Sequence, residues 1–393
     1  MEKIRLNYLT GYLSPHLLPL LNAVGEHPGF SLKVWYCQGD SDFRGWVHGI
    51  APNHEHVISR RGRWTWIHPE FHYDPSVKSF LRGAPADLTI VSEYSIPTLR
   101  IAISELASKG SMWALAGERP FLWQSSSARS VLGAWMRHKP LNAACAFIGK
   151  GSWNAAIYRE LRPWGVKVYS VPYYLDINRY SGTRQDGVGA CYRYAGDGPE
   201  KGDFVFLFAG SLIPRKGVLV LADAFRQVAA VEPHARLVVM GDGPLRRVMA
   251  ERLGAAAARS VFLGNVPYEE SPLIYQAADA FVFPTQHDGW GMVVNEAMAT
   301  GLPVITTTTC GAAHDLVEHG VNGWMLEPWD VEGFRDCMLQ LIRKPDEAVG
   351  MGMAARHTLT LNTPAAGAEK MYRACTDILD STTKKLNPTR VFE

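Results

Sequence analysis

Apolar positions along this chain fall into two series of short runs separated by helical periodicities. Ile4–Leu9, Phe30–Cys37, Asp87–Ser92, Pro120–Gln124, Cys145–Gly149 and Val166–Val171 read as buried strands. Leu17–Val24, Ile96–Leu106 and Trp153–Leu161 read as helices between them. Short, continuously apolar strands alternating with helices predict a parallel sheet covered on both faces. From Gly182 to Asp203 the pattern fades among Gly182, Gly187, Gly189, Gly196, Gly198, Pro199 and Gly202, which predicts a linker over 186–203. A second series then begins at Phe204–Ala209 and continues through Arg236–Met240, Val261–Leu263, Ala280–Pro284 and Pro303–Thr307. Its first helix, Val218–Val228, carries apolar residues at 218, 221, 225 and 228. The expected class is α/β: two doubly wound Rossmann-like domains, 1–185 and 204–362, facing each other across a cleft. Beyond the break at Leu361-Asn362-Thr363-Pro364, a last helical pattern runs through Ala366, Met371, Ala374 and Ile378.

Composition agrees with this reading. One hydrophobic core rarely grows past about 250–300 residues, and the chain has 393. An apolar fraction of 47% and a charged fraction of 20% exclude a disordered chain. The net charge of +2 excludes a generally basic nucleic-acid binder. That charge is split unevenly. Residues 1–190 hold 21 Lys+Arg against 14 Asp+Glu, or +7, and the remainder holds 19 against 24, or −5. A basic first half suits an anionic partner, such as a phosphate-bearing acceptor or an anionic membrane surface; ordinary solvated surface is the plainer explanation. The cysteines at 37, 145, 191, 310, 337 and 375 have no metal-like or redox-like spacing, and are expected to be reduced thiols of a cytoplasmic protein. Met1–Leu9 has a strand pattern rather than that of a signal peptide, and no apolar run reaches the ~18 residues of a membrane span.

Candidate chemistry lies where strands run into loops. After Phe204–Ala209 come Gly210, Ser211, then Arg215 and Lys216 ahead of a helix. A helix N-terminus with two adjacent cations favours an anion, although an ordinary solvated loop has the same composition. After Phe281–Pro284 come Asp288, Gly289, Trp290, Gly291 and Met292, a helix to Gly301, and Glu296 about one turn into it. Two carboxylates thus flank a glycine-rich helix start, whose N–H groups suit a diphosphate. Asp288 alone reads as an N-cap and Glu296 alone as a surface residue; the combination argues for a site.

These segments resemble the retaining nucleotide-sugar glycosyltransferases of family 4, which have the GT-B fold. The resemblance rests on Ala209–Gly217, Gly241-Asp242-Gly243-Pro244, Leu263-Gly264-Asn265-Val266, Asp288–Val304 and Gly320–Trp324, about a third of the chain. Val171–Tyr180 resembles the segment that closes the family's first domain, and 1–180 fits its variable acceptor domain. The resemblance implies transfer of a sugar from a UDP-, GDP- or ADP-sugar to a hydroxyl acceptor, with no further cofactor. The acceptor would be a glycan or lipid-linked, in cell-envelope or exopolysaccharide synthesis. Arg215, Lys216 and helix N–H groups would stabilise the leaving diphosphate without a metal. Asp288 would orient the transferred sugar and Glu296 would meet the ribose. Gly210, Ser211, Gly289, Trp290, Gly291 and Met292 would complete the donor site. The helix at 363–380 would return to the first domain. Three departures stand out: Asp288 replaces the first Glu of E-x7-E, Ser211 stands where Arg is frequent, and no His follows Pro120–Gln124. A binding protein without turnover and an epimerase-like relative are the alternatives, the latter lacking an identifiable set of first-domain acids.

Weaker signals remain. Gly11 and Tyr12 after the first strand, and Glu93 after Asp87–Ser92, are expected on the acceptor side. Asp40-Ser41-Asp42 matches D-x-D, and His54, His56, His68 and His72 are close in sequence, yet neither makes a persuasive metal set. Arg60–Trp66 is basic with interleaved aromatics, which suits an anionic membrane or a phosphate-bearing acceptor better than nucleic acid, while plain solvated surface explains it equally well. The expected location is cytoplasmic, with peripheral contact at the inner face of the membrane.

Overall fold

The computed structural model describes residues 2–39, 51–59, 71–118, 143–161 and 165–386. The chain divides into two compact units, 1–174 with 364–393, and 175–363. Pro120–Gln124, Asp40 and Asp42, Arg60–Trp66 and His68 lie outside the described residues.

The first unit is built on a parallel sheet of seven strands: β1 (Ile4–Tyr12), β2 (Phe30–Gln38), β3 (Glu55–Ile58), β4 (Leu88–Val91), β5 (Trp113–Gly117), β6 (Ala146–Gly149) and β7 (Lys167–Ser170). Their spatial order is β3-β2-β1-β4-β5-β6-β7. The continuous apolar runs follow from this arrangement, since both sheet faces are covered. On one face Leu6, Tyr8, Val34 and Ile90 pack against the helix Leu18–Glu26 and the C-terminal helix Pro364–Leu386. On the other, Leu9, Trp35, Val91 and Phe147 pack against the helices Val77–Gly83, Pro97–Ser108 and Ser152–Leu161. β3 and β5 escape the sequence reading, being short and, for β3, polar and largely exposed.

The C-terminal helix is an integral part of this unit. Ala368, Met371, Cys375 and Ile378 enter its core. Burial of a Met or Ile side chain contributes about 1.5–3 kcal/mol. Tyr372 meets Phe30 edge-on at 5.5 Å, and Asp377 takes hydrogen bonds from Lys167 Nζ at 2.6 Å and Tyr169 Oη at 2.7 Å.

The second unit carries six parallel strands: β8 (Phe204–Ala209), β9 (Ala235–Met240), β10 (Ser260–Gly264), β11 (Ala280–Phe283), β12 (Val304–Thr307) and β13 (Gly323–Leu326). Their order is β10-β9-β8-β11-β12-β13. The expected linker, 186–203, needs correction. The helix Arg184–Ala195 occupies most of it and belongs to the second unit, whose boundary lies at 174/175. Its Gly187 marks close packing instead of a break. A Cβ on Gly187 would overlap the backbone of Leu273 and Ala277 in the neighbouring helix segment.

Candidate functional site

Strand order in the second unit reverses between β8 and β11. The loops leaving these two strands therefore run side by side at the carboxyl end of the sheet, where open α/β sheets bind ligands. The β8 loop is fixed from two sides. Leu212 is buried; its N–H donates to the Asp242 carbonyl at 2.9 Å and its carbonyl accepts from Leu245 at 3.0 Å. Pro214–Lys216 then forms a single 3-10 turn that ends at Gly217. Gly217 adopts the left-handed region at φ 67°, and a Cβ there would overlap the Pro284 carbonyl. Only glycine combines that conformation with that approach. The Gln286 N–H and Thr285 Oγ1 both donate to the Arg215 carbonyl, at 2.8 and 3.0 Å.

The β11 loop is braced by the segment after β12. The Asp288 N–H donates to the Thr309 carbonyl at 3.1 Å, Gly311 N–H to the Asp288 carbonyl at 3.1 Å, and Ala312 N–H to the Trp290 carbonyl at 2.7 Å. Gly291, at φ 92°, precedes the helix Met292–Thr300 and supplies no side-chain cap. Val294 N–H turns back to the Gly291 carbonyl at 2.9 Å, and the N–H groups ahead of it, at Met292 and Val293, have no intrahelical partner.

Charge concentrates where the two loops meet. The Lys216 ammonium donates to Asp288 Oδ2, with both side chains largely buried. The Arg215 guanidinium is half-exposed, lies 3.6 Å from the same oxygen and donates to the His287 carbonyl at 3.2 Å. The ammonium also stands 4.8 Å from the centre of the Phe283 ring. One carboxylate therefore holds two cations in place beside an uncapped helix start. An arriving diphosphate would find the cations fixed and one anion to displace.

Glu296 occupies a different environment. It is 6% exposed, and the Tyr275 hydroxyl donates to its Oε2 at 2.6 Å. Burial pushes its carboxyl above the usual range, against the pull of Tyr275, Tyr180 and Arg179. Arg179 lies over the Tyr268 ring at 4.2 Å and donates to the Tyr268 carbonyl at 3.3 Å. Burial in turn raises the phenols of Tyr180, Tyr268 and Tyr275, with Glu296 adding to the shift.

Arg215, Lys216 and Asp288 are thus brought together, with Gly210, Ser211, Gly289, Gly291 and Met292 on the same loops. One reading changes. Trp290 is buried and its indole donates to Asn295 Oδ1 at 2.9 Å, so its side chain braces the loop rather than facing a ligand. Glu296 is buried, which removes the alternative of a plain surface residue. Tyr275 and the Thr309–Ala312 brace were missed; a phenol 21 residues before its carboxylate leaves no pattern in a sequence. In the first unit, Gly11 and Glu93 come together: a Cβ on Gly11 would lie 3.4 Å from Glu93 Oε2. Tyr12 is buried beside them at the end of β1. His54 is bonded to Tyr36 Oη at 2.9 Å and Asn22 Oδ1 at 3.0 Å, and burial lowers it to about 4. Among the described residues no cluster of three His, Cys, Asp or Glu side chains suits a metal, and no helix is long and apolar enough to cross a membrane.

Residues 203–344 match the family model of group 1 glycosyl transferases. A GDP-mannose-dependent monoacylated alpha-(1-6)-phosphatidylinositol monomannoside mannosyltransferase of Corynebacterium glutamicum is 33% identical over 153 residues, covering 37% of this chain and 39% of the relative. A 2-deoxystreptamine N-acetyl-D-glucosaminyltransferase of Niallia circulans is 27% identical over 152 residues, covering 38% and 39%. The chain thus spans about two fifths of the length of these curated relatives. Over its whole length the fold is similar to Anabaena HepE, solved in complex with UDP: TM-score 0.72, 17% identity, 95% of this chain and 100% of that one. The matched stretch, a group 1 glycosyl transferase domain, carries the site, and with both units built on parallel sheets the chain has the GT-B fold.

Proposed function

We propose that this protein is a hexosyltransferase. It moves a sugar from a nucleoside diphosphate donor to a hydroxyl of a glycan or lipid-linked acceptor, with retention at the anomeric carbon and without a metal ion. The observation that carries this reading is the meeting of Arg215, Lys216, Asp288 and an uncapped helix start where strand order reverses. The diphosphate takes over Lys216 and Arg215 and receives the N–H groups of the first helical turn. As the bond from the anomeric carbon to phosphate oxygen breaks, charge grows on the diphosphate, and these donors oppose it at no cost of reorganisation. The acceptor oxygen bonds to the anomeric carbon on the same face, and its proton passes to the departing phosphate. Asp288, relieved of Lys216, accepts hydrogen bonds from the transferred sugar. Glu296, with Oε2 held by Tyr275, offers its other oxygen to the ribose hydroxyls.

The relatives are named for transfer from GDP-mannose to a phosphatidylinositol mannoside and for transfer of N-acetylglucosamine to 2-deoxystreptamine. That variety supports the reaction class and leaves the sugar and nucleobase open. A role in envelope or exopolysaccharide glycan synthesis, at the cytoplasmic face of a membrane, is part of the proposal. Ser211 favours a second reading, nucleotide-sugar binding without turnover, because the position supplies no charge to the diphosphate.

The test is incubation with UDP-, GDP- and ADP-sugars and a panel of acceptors in EDTA, followed by NMR of the product's anomeric configuration. Transfer with retention in EDTA is expected. Activity lost in EDTA and restored by Mn²⁺ would overturn the metal-free mechanism, and binding without transfer would favour the second reading.

A further inference from the structure

Glu296 is held from outside the two donor loops. Its helix, Met292–Thr300, packs against the short helix Ser271–Gln276 and the 3-10 turn Ile177–Tyr180. Tyr275, in the short helix, is fully buried and donates to Glu296 Oε2 at 2.6 Å. Two other rings fix its own. Tyr180 stands edge-on to it with centres 6.0 Å apart, and Phe281 of β11 lies at 5.8 Å. The phenol is therefore a donor set in place before any ligand arrives.

The bond engages one carboxylate oxygen and leaves the other. Among the described residues Oε1 accepts no hydrogen bond. The Tyr180 hydroxyl is also buried and makes none, so it does not occupy that oxygen. A buried carboxylate with one oxygen unmatched is costly unless a ligand brings the missing donors. One carboxylate oxygen has two lone pairs. The 2′ and 3′ hydroxyls of a ribose are two adjacent donors on one face of the ring, and they match it. A 2′-deoxyribose brings one donor and leaves a charged, dry oxygen half-satisfied. A site built to bond a hydroxyl rejects the analogue lacking it far more strongly than an apolar pocket does.

We infer that the site takes ribonucleotide donors and rejects their 2′-deoxy counterparts, deoxythymidine diphosphate sugars among them, and that Tyr275 is the positioning residue that sets this choice by fixing the Glu296 carboxylate. The inference rests on the donor-site reading above and goes beyond it in naming the nucleotide class. Without the phenol, the carboxylate is free to turn and no longer presents one defined oxygen to the diol. Tyr275 itself, on the far side of Glu296 from that free oxygen, touches no part of the donor.

Titration calorimetry of the full chain with UDP, GDP and ADP, each beside its 2′-deoxy form, tests this. For whichever base binds, the wild type should favour the ribose form about tenfold or more, the loss expected when a buried charged group is left unmatched. Tyr275→Phe removes one oxygen atom from a packed ring. It should weaken the ribose form and leave the deoxy form little changed, so that the preference collapses. A merely structural tyrosine would weaken both forms alike. Glu296→Gln leaves the phenol in place and should also lose most of the preference, so the test does not depend on Tyr275→Phe folding. Adding Tyr275→Phe to Glu296→Gln should cost no further preference, because the two residues act as one unit. Lys216→Ala acts on the diphosphate; it should weaken both forms equally and keep the preference. Equal binding of ribose and deoxy forms by the wild type, or an intact preference in Tyr275→Phe, would overturn the inference while the donor-site reading stood on Lys216→Ala. Absence of binding by all six nucleotides would overturn both.

Discussion

The two units share one strand order around the reversal, 3-2-1-4-5-6 counted within each, yet they build their sites by opposite means. In the second unit the backbone does most of the work. Gly217 against Pro284, Leu212 against Asp242, and Asp288 against Thr309 tie four loops together before any side chain acts. In the first unit the polar groups at the carboxyl end of the sheet, Tyr8, Glu93, Glu118, Lys150 and Tyr173, are side chains from five places in the sequence. A backbone cradle suits a ligand whose diphosphate is the same whatever sugar it carries. A side-chain cluster suits a ligand that varies, since each member can change without rebuilding the sheet.

That contrast can be broken or sharpened by substitution. The largest effect should come from Lys216→Ala. Loss of one preorganised donor to a developing anion costs on the order of 10²–10³ in rate, and kcat should bear it. A near-wild-type kcat would mean that the cradle is not the reacting centre. Lys150→Met should act on stability with the opposite sign. The folded pKa is lowered from 10.5 to about 8, so the ammonium weakens the fold fully below 8, and the penalty fades as pH rises toward 10.5. At 1.36 kcal/mol per unit, the gain on removing the charge is on the order of 3 kcal/mol. A higher Tm at neutral pH, shrinking in alkali, is the expected record. A lower Tm would make Lys150 a structural residue.

Glu296→Gln should produce a smaller, mixed change. The folded carboxyl titrates above its usual range because it is buried, so ionisation costs stability as pH rises through that raised value. The amide should raise Tm at neutral pH and give no gain below the ordinary carboxylate range. Ribose contacts exist before and during the reaction, so donor KM should rise about tenfold with kcat little altered. A fall in kcat alone would place Glu296 at the sugar instead. The smallest effect belongs to Asp288→Glu, which restores the E-x7-E of the resembled family: transfer should stay within about threefold, or shift between donor sugars. Loss of all activity would show that the shorter acid is required by its bond to Lys216.

Legibility in the sequence followed the same division. β1, β2, β8, β9 and β11 are long or fully apolar, and they were read within a few residues. The donor loops were read because glycines and charges sit at fixed offsets from a strand end: Gly217 is needed for φ 67° and Gly291 for φ 92°. The ion pair between Lys216 and Asp288 spans 72 residues and depends on sheet order, so neither residue announced the other. Lys150 and Tyr173 were invisible for the same reason, each unremarkable until β1, β4, β5 and β6 are laid side by side. The 186–203 stretch misled because glycine marks both a break and a close approach, and only the neighbouring helix segment at 271–277 tells them apart.

The central claim is that the nucleotide diphosphate is held by the loops after β8 and β11. Titration calorimetry of UDP, GDP and ADP against wild type, Lys216→Ala and Lys150→Met measures it directly. The account predicts that at least one of these nucleotides binds the wild type, at least about tenfold more weakly to Lys216→Ala, with no change for Lys150→Met, since a charge-assisted contact is worth about 1.5–3 kcal/mol. Equal affinity in wild type and Lys216→Ala, or loss confined to Lys150→Met, would contradict it.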